Sequence, residues 1–201
     1  MTFVISKQQN IMRSKLLVLI GLLGMFNFAT AQTYTAKTTN FSLQGNSTMH
    51  KWASKVSKSD FTGNIEVTNG EVTAIKSAVL KIDIKDIKSD KDSDMMDSRT
   101  HKSLNADKHP TITYTFANTK SITKKGNDFV AIVDGKLTIN GVTKNTTMTV
   151  TITPLANGDL RFKGSDKVLF TNHGLKTPSF VAGTLKVDNE VNVTFDVTAK
   201  K

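Results

Sequence analysis

The side chains best suited to acid–base or metal chemistry are four histidines and 17 carboxylates, and the 201 residues include no cysteine. Thiol catalysis, cysteine metal sites and a disulfide framework are therefore excluded. His50, His101, His109 and His173 lie far apart in sequence. None stands at i, i+2 or i+4 from another, so no strand or helix turn pairs two imidazoles for metal ligation. H-E-x-x-H, G-x-S-x-G, the P-loop and the dinucleotide fingerprint are all missing. One carboxylate run has ligand spacing, Asp90-Lys91-Asp92-Ser93-Asp94. Its oxygens fall at alternate positions as in a calcium loop, but the Gly and the distal Glu of an EF-hand are absent. A solvated loop and helix cap fits it better. An acid–base site would need the fold to carry His101 or His173 to a carboxylate. The expectation is no catalytic residue, no metal and no cofactor.

The elements that would position any site read almost entirely as β-strand. The strongest signal runs from Asp128 to Thr153, two strands joined at Asn140-Gly141, a dipeptide suited to two-residue hairpin turns. Phe129, Ala131, Val133, Leu137 and Ile139 share one face of the first strand. Met148, Val150 and Ile152 alternate with threonines on the second, the period-2 pattern of one apolar and one wet face. Shorter strands are expected at 33–38, 40–43, 61–67, 74–87, 111–116, 160–163, 168–171 and 191–197. One stretch, Ser89 to Ala106, lacks β-periodicity. Asp92 or Ser93 can cap a short helix there carrying Met95, Met96, Arg99 and Leu104.

The first 31 residues read as a secretory signal peptide. Arg13 and Lys15 precede the apolar run Leu16 to Phe28, and Ala29-Thr30-Ala31 supplies small residues before a cut ahead of Gln32. The run is shorter than the ~20 residues a spanning helix needs. Translation from Met12 instead of Met1 would give a more ordinary leader. The expected mature domain, residues 32–201, is exported to a periplasm or the medium and is large enough for a real core. The leader holds Lys7, Arg13 and Lys15, so the formal charge falls from +10 for the full chain to +7. The remaining lysines are scattered singly among threonines without aromatic interleaving. No nucleic-acid partner is expected; weak, transient contact with anionic lipid headgroups is.

Alternating strands suit a sandwich, a filled barrel or a barrel with a lumen. A membrane barrel is disfavoured, because one tryptophan and two tyrosines cannot build aromatic girdles. Periodicity alone leaves the soluble alternatives open.

Four stretches carry further information: M-D-S-R-T-H-K-S-L-N-A-D-K-H-P-T-I-T-Y-T-F (Met96 to Phe116), L-T-I-N-G-V-T-K (Leu137 to Lys144), R-F-K-G-S (Arg161 to Ser165) and V-D-N-E-V-N-V-T-F-D-V (Val187 to Val197). In this order they resemble the YceI-like family of exported lipid-binding proteins over essentially all of residues 33–199. S-T-M-H-K-W (Ser47 to Trp52) is similar to the entry segment of a divergent branch. Two departures are the absence of an aromatic in Asp107-Lys108-His109 and a shortened N-H-G-L-K-T-P after Leu169.

The resemblance implies an all-β fold, an extended eight-stranded antiparallel, lipocalin-like barrel with a short helical insertion. It also implies a polyisoprenoid or other long-chain amphiphile in an apolar lumen. Such a chain needs no catalytic group, since each buried CH₂ contributes roughly 0.8 kcal/mol. The side chains then expected at the ligand are Phe41, Leu43 and Trp52 near the N-terminus, and Leu80 and Ile82 on the next long strand. Met95 and Met96 would adapt to its shape at one end. Ile112, Tyr114 and Phe116, the hairpin residues Phe129, Val133, Leu137, Met148 and Val150, and finally Phe195 complete the set. Self-association as a homodimer is compatible with this reading. The alternative is an envelope interaction module without lipid, presenting a patch near Met49, Trp52 and Phe180.

Overall fold

A computed structural model describes residues 31–180 and 183–201. The expected leader (Ala31 apart) and the choice between Met1 and Met12 lie outside the described residues.

The strands are β1 (Ala31–Asn46), β2 (Lys51–Val56), β3 (Asp60–Thr68), β4 (Glu71–Asp83), β5 (Lys88–Ser89), β6 (Thr111–Lys125), β7 (Asp128–Ile139), β8 (Val142–Pro154), β9 (Leu160–Leu169), β10 (Ser179–Phe180), β11 (Leu185–Lys186) and β12 (Glu190–Lys200). Helix α1 spans Asp94–Ser103, and two 3₁₀ turns span Ile84–Asp86 and Phe170–His173. Strands β12, β9, β8, β7, β6, β4, β3 and β1 follow one another, and β1 pairs back onto β12. This is a closed, antiparallel, eight-stranded barrel, as the family resemblance implied. Closure removes both sheet edges.

Several boundaries differ from the periodic reading. Two short strands were expected at 33–38 and 40–43; the chain forms one strand, β1, with a bulge between Ala36 and Thr38. The bulge shifts the alternation by one residue, which hides the continuity in sequence. Likewise 160–163 and 168–171 belong to the single strand β9 up to Leu169, because its inward positions in between are Gly164 and Asp166 instead of apolar residues. β6 runs nine residues past Phe116. That extension pairs with β7 alone, since the β4–β6 ladder ends at Val79↔Thr115, so little selects apolar residues there. The hairpin at Asn140-Gly141 forms as expected, both residues with positive φ (52° and 73°).

One end of the barrel holds the turns at 69–70, 126–127 and 155–159 and both chain ends of the barrel. At the other end lie α1, the β1–β2 loop, the Asn140 turn and residues 170–180 and 183–187. Ser93 caps α1, accepting from the Met96 amide at 3.4 Å. The helix is pinned by Asp97, whose carboxylate accepts the Ser89 amide at 2.6 Å and faces Lys88 Nζ at 3.3 Å. His101 Nε2 donates to the Ile87 carbonyl at 2.9 Å. Asn140 ties three elements together: its side chain accepts from Asn105 just past α1 and donates to the His173 carbonyl.

Burial on its own would raise the Asp97 pKa, but the Ser89 hydrogen bonds and Lys88 outweigh it and hold the carboxyl below its ordinary value. A carboxylate depressed in the native state contributes stability above its unfolded pKa, about 3.9, which is lost as pH falls through the native value. Asp97→Ala leaves the buried Ser89 amide without an acceptor and is expected to cost about 1–3 kcal/mol at neutral pH. Denaturant midpoints of the two proteins should converge as the pH drops below about 4.

Candidate functional site

Inward-facing side chains change character along each strand. At the end with the 126–127 turn they are buried outright: Phe129 (5% exposed), Ala131 (0%), Ile152 (0%), Leu160 (1%) and Ala199 (0%). Towards α1, the inward residues Leu43, Ile112, Leu137, Met148 and Val193 are only partly buried. The β8–β9 ladder stops at Val150↔Gly164, so the two strands part beyond that point. Side chains bridge the gap: His173 Nδ1, from the Phe170–His173 turn, donates to the Val142 carbonyl, and Thr146 Oγ1 on β8 donates to Asp166 on β9. A barrel of eight strands is just wide enough to be filled by side chains. Here one half is filled, and the wider half encloses a cavity of about 480 Å³, within the ~300–1,000 Å³ of ordinary ligand pockets.

Fifteen of the sixteen side chains named from sequence line this cavity: Phe41, Leu43, Trp52, Leu80, Ile82, Met95, Met96, Ile112, Tyr114, Phe116, Val133, Leu137, Met148, Val150 and Phe195. Phe129 does not. It shares their face and pairs with Ile152, which does line the cavity, but its own buried ring is not part of the lining. Alternation gives the face and not the depth. Met95 is 62% exposed and only edges the opening. Phe41 and Phe195 stand together in the wall, ring centroids 6.1 Å apart.

The mouth was less legible in sequence. α1 turns Met95, Met96, Arg99, Thr100 and Ser103 towards the cavity, a stripe at helical spacing. Residues 175–180 and 185–187 cover the other side with Leu175, Pro178, Phe180, Leu185 and Val187. Hydrogen bonds from the Thr48 amide to Lys186 and from the Asp188 amide to Asn46 hold it to the β1–β2 loop. Arg99 bridges the two covers, its guanidinium carbon 4.7 Å from the Phe180 ring centroid. Loop residues carry no periodicity, so only the isolated apolar side chains at 175, 180, 185 and 187 hinted at this cover. Val191 and Val193 also line the cavity, and their alternation with polar residues could have found them.

Residues 26–199 match the family model for the YceI-like domain. The chain belongs to the YceI-like family. No curated protein matches it in sequence. Among solved structures, Burkholderia cenocepacia BcnA is 19% identical at a TM-score of 0.62, covering 81% of this chain and 96% of its own. A polyisoprenoid binding domain from Saccharophagus degradans, implicated in plant cell wall breakdown, is 15% identical at 0.60, covering 85% and 98%. The Campylobacter jejuni YCEI protein is 20% identical at 0.51, covering 72% and 85%. These likenesses show the barrel fold.

Within this YceI-like barrel the polar groups at the lumen are few. His173 is 3% exposed, and its Nδ1 is committed to Val142. Among the described residues neither His173 nor His101 has a carboxylate as hydrogen-bond or ion-pair partner. Asp92 of the D-x-D-x-D run faces Lys55 at 3.5 Å on the surface, and no group of three metal-ligating side chains converges among the described residues. The patch considered near Met49, Trp52 and Phe180 does not assemble as one exposed surface. Met49 is 72% exposed, but Trp52 lines the cavity and Phe180 stacks on Arg99.

Tyr114 lies flat against the wall over Gly135, where a Cβ would sit 2.3 Å from its ring; only glycine admits that approach. Its hydroxyl is buried without a partner among the described residues. Burial pushes its pKa up to about 12, with Asp134 and then Asp166 adding to the rise. A buried donor left unpaired costs stability. Tyr114→Phe is therefore expected to raise stability by about 1 kcal/mol without weakening lipid binding. Chemical denaturation and a ligand titration of the same variant check it.

Proposed function

We propose that this protein is an exported, non-enzymatic carrier that holds a polyisoprenoid or other long-chain amphiphile in the barrel lumen. The observation that carries the reading is the apolar cavity of about 480 Å³ open beside α1. Left empty and dry, such a volume would cost on the order of 10 kcal/mol at ~24 cal/mol per Å³, comparable with the whole stability of a domain. A hydrocarbon chain removes that cost. One five-carbon unit contributes a gross ~4 kcal/mol on burial, so affinity accumulates along the chain without specific polar contacts. The polyisoprenoid binding named for the Saccharophagus degradans relative fits the same chemistry. Export rests on Arg13, Lys15, the apolar run Leu16 to Phe28 and Ala29-Thr30-Ala31. The residual positive charge suits brief contact with an anionic membrane surface during loading.

The test is organic extraction and native mass spectrometry of protein purified from its own host. A long-chain lipid bound to the intact protein and released by solvent is the expected result. A ligand-free protein that also refuses prenyl alcohols would reject the proposal.

A further inference from the structure

The charges at the cavity mouth do not balance. Arg99 is half-buried and faces the lumen, yet among the described residues no carboxylate lies within ion-pair distance of it. Its guanidinium carbon lies over the Phe180 ring, and among the described residues its N–H donors meet no hydrogen-bond acceptor. Lys91 and His50 line the same mouth. The acids on α1 are directed elsewhere: Asp97 is held by Ser89 and Lys88, and Asp94 is exposed in the first turn. Asp166, the carboxylate on the lumen wall, is taken up by Thr146 and the Lys167 amide. A guanidinium partly removed from water beside apolar walls is costly unless an anion meets it. Thr100 and Ser103 add hydroxyl donors on the same face of the helix.

We propose that this mouth binds an acidic headgroup, a phosphate or carboxylate, with Arg99 as its direct ligand and the hydrocarbon tail in the lumen. The proposal rests on the lipid-binding reading and deepens it. Arg99 offers two parallel N–H bonds to a planar carboxylate or to two phosphate oxygens. Lys91 sits on the exposed rim beside His50, where its attraction is screened by salt. Arg99 therefore carries most of the discrimination. The tail supplies affinity and the mouth supplies selectivity and orientation, head outward beside α1.

The experiment compares two matched pairs on delipidated protein, geranylgeranyl phosphate against geranylgeraniol and palmitate against hexadecanol. At least one acid should bind about 10- to 100-fold more tightly than its alcohol, the usual worth of a charge-assisted hydrogen bond. Arg99→Gln should erase that ratio, lowering acid affinity far more than alcohol affinity. Arg99→Lys should retain part of it and serves as the folding control. Equal affinity for acid and alcohol in both pairs overturns the headgroup proposal and leaves the lipid reading intact. So does an Arg99→Gln effect shared equally by acids and alcohols. Binding of none of the four probes defeats the lipid reading itself.

Discussion

Replacing Leu80 and Met148 together by tryptophan is expected to abolish lipid uptake while leaving the barrel folded. Both side chains line the cavity and are only partly buried, so each has free volume in front of it. They sit on β4 and β8, which are not neighbours in the sheet yet approach each other across the lumen. Two indoles there occupy the space through which a hydrocarbon chain must pass. Excluding one five-carbon unit forfeits a gross ~4 kcal/mol, on the order of a thousandfold in affinity. The substitutions add apolar surface where a cavity exists, so the usual overpacking cost of about 1–3 kcal/mol is largely avoided. Titration with geranylgeraniol reads the affinity, and far-ultraviolet circular dichroism with a thermal melt reads the fold. Unchanged affinity in a folded double variant would show that the lumen is not the lipid site.

Phe129→Ala should do the opposite. Phe129 is 5% exposed and pairs with Ile152, a residue at the edge of the cavity, without lining it itself. Its truncation leaves a hole among fully buried neighbours and is expected to cost about 3–5 kcal/mol. Lipid affinity should stay within about twofold, because the ring does not line the cavity. Denaturant unfolding and the same titration separate the two effects. A large loss of affinity at unchanged stability would place the ligand deeper than the cavity floor. The contrast between the two experiments would divide one continuous apolar face into a half that holds the fold and a half that lines the cavity.

That division marks where sequence reasoning succeeds and stops. The hairpin at Asn140-Gly141 and the inward face of β7 and β8 were readable because a strand's side chains alternate strictly and a two-residue turn demands particular residues. The cap at Ser93 was readable for the same local reason. β1 and β9 were read as fragments, because a bulge resets the alternation and an inward Gly164 and Asp166 break it. Phe129 was grouped with residues that line the cavity, which it does not, because periodicity reports which face a residue occupies and carries no information about its height along the barrel axis. Arg99 and Phe180 lie 81 positions apart on elements without periodicity, and their contact exists only because α1 and the β10–β11 hairpin cover the same mouth.

The sequence by itself determined an all-β chain, the strand faces that turn away from water, and the lack of thiol, metal or catalytic motifs. These are local properties, written in residue type and spacing over a few positions. Only the tertiary structure decided that β1 closes onto β12, that the β8–β9 ladder ends at Val150↔Gly164, and that a cavity therefore opens in one half of the barrel. Closure and ladder length depend on pairings between residues far apart in the chain, and a cavity is the volume those pairings leave unfilled.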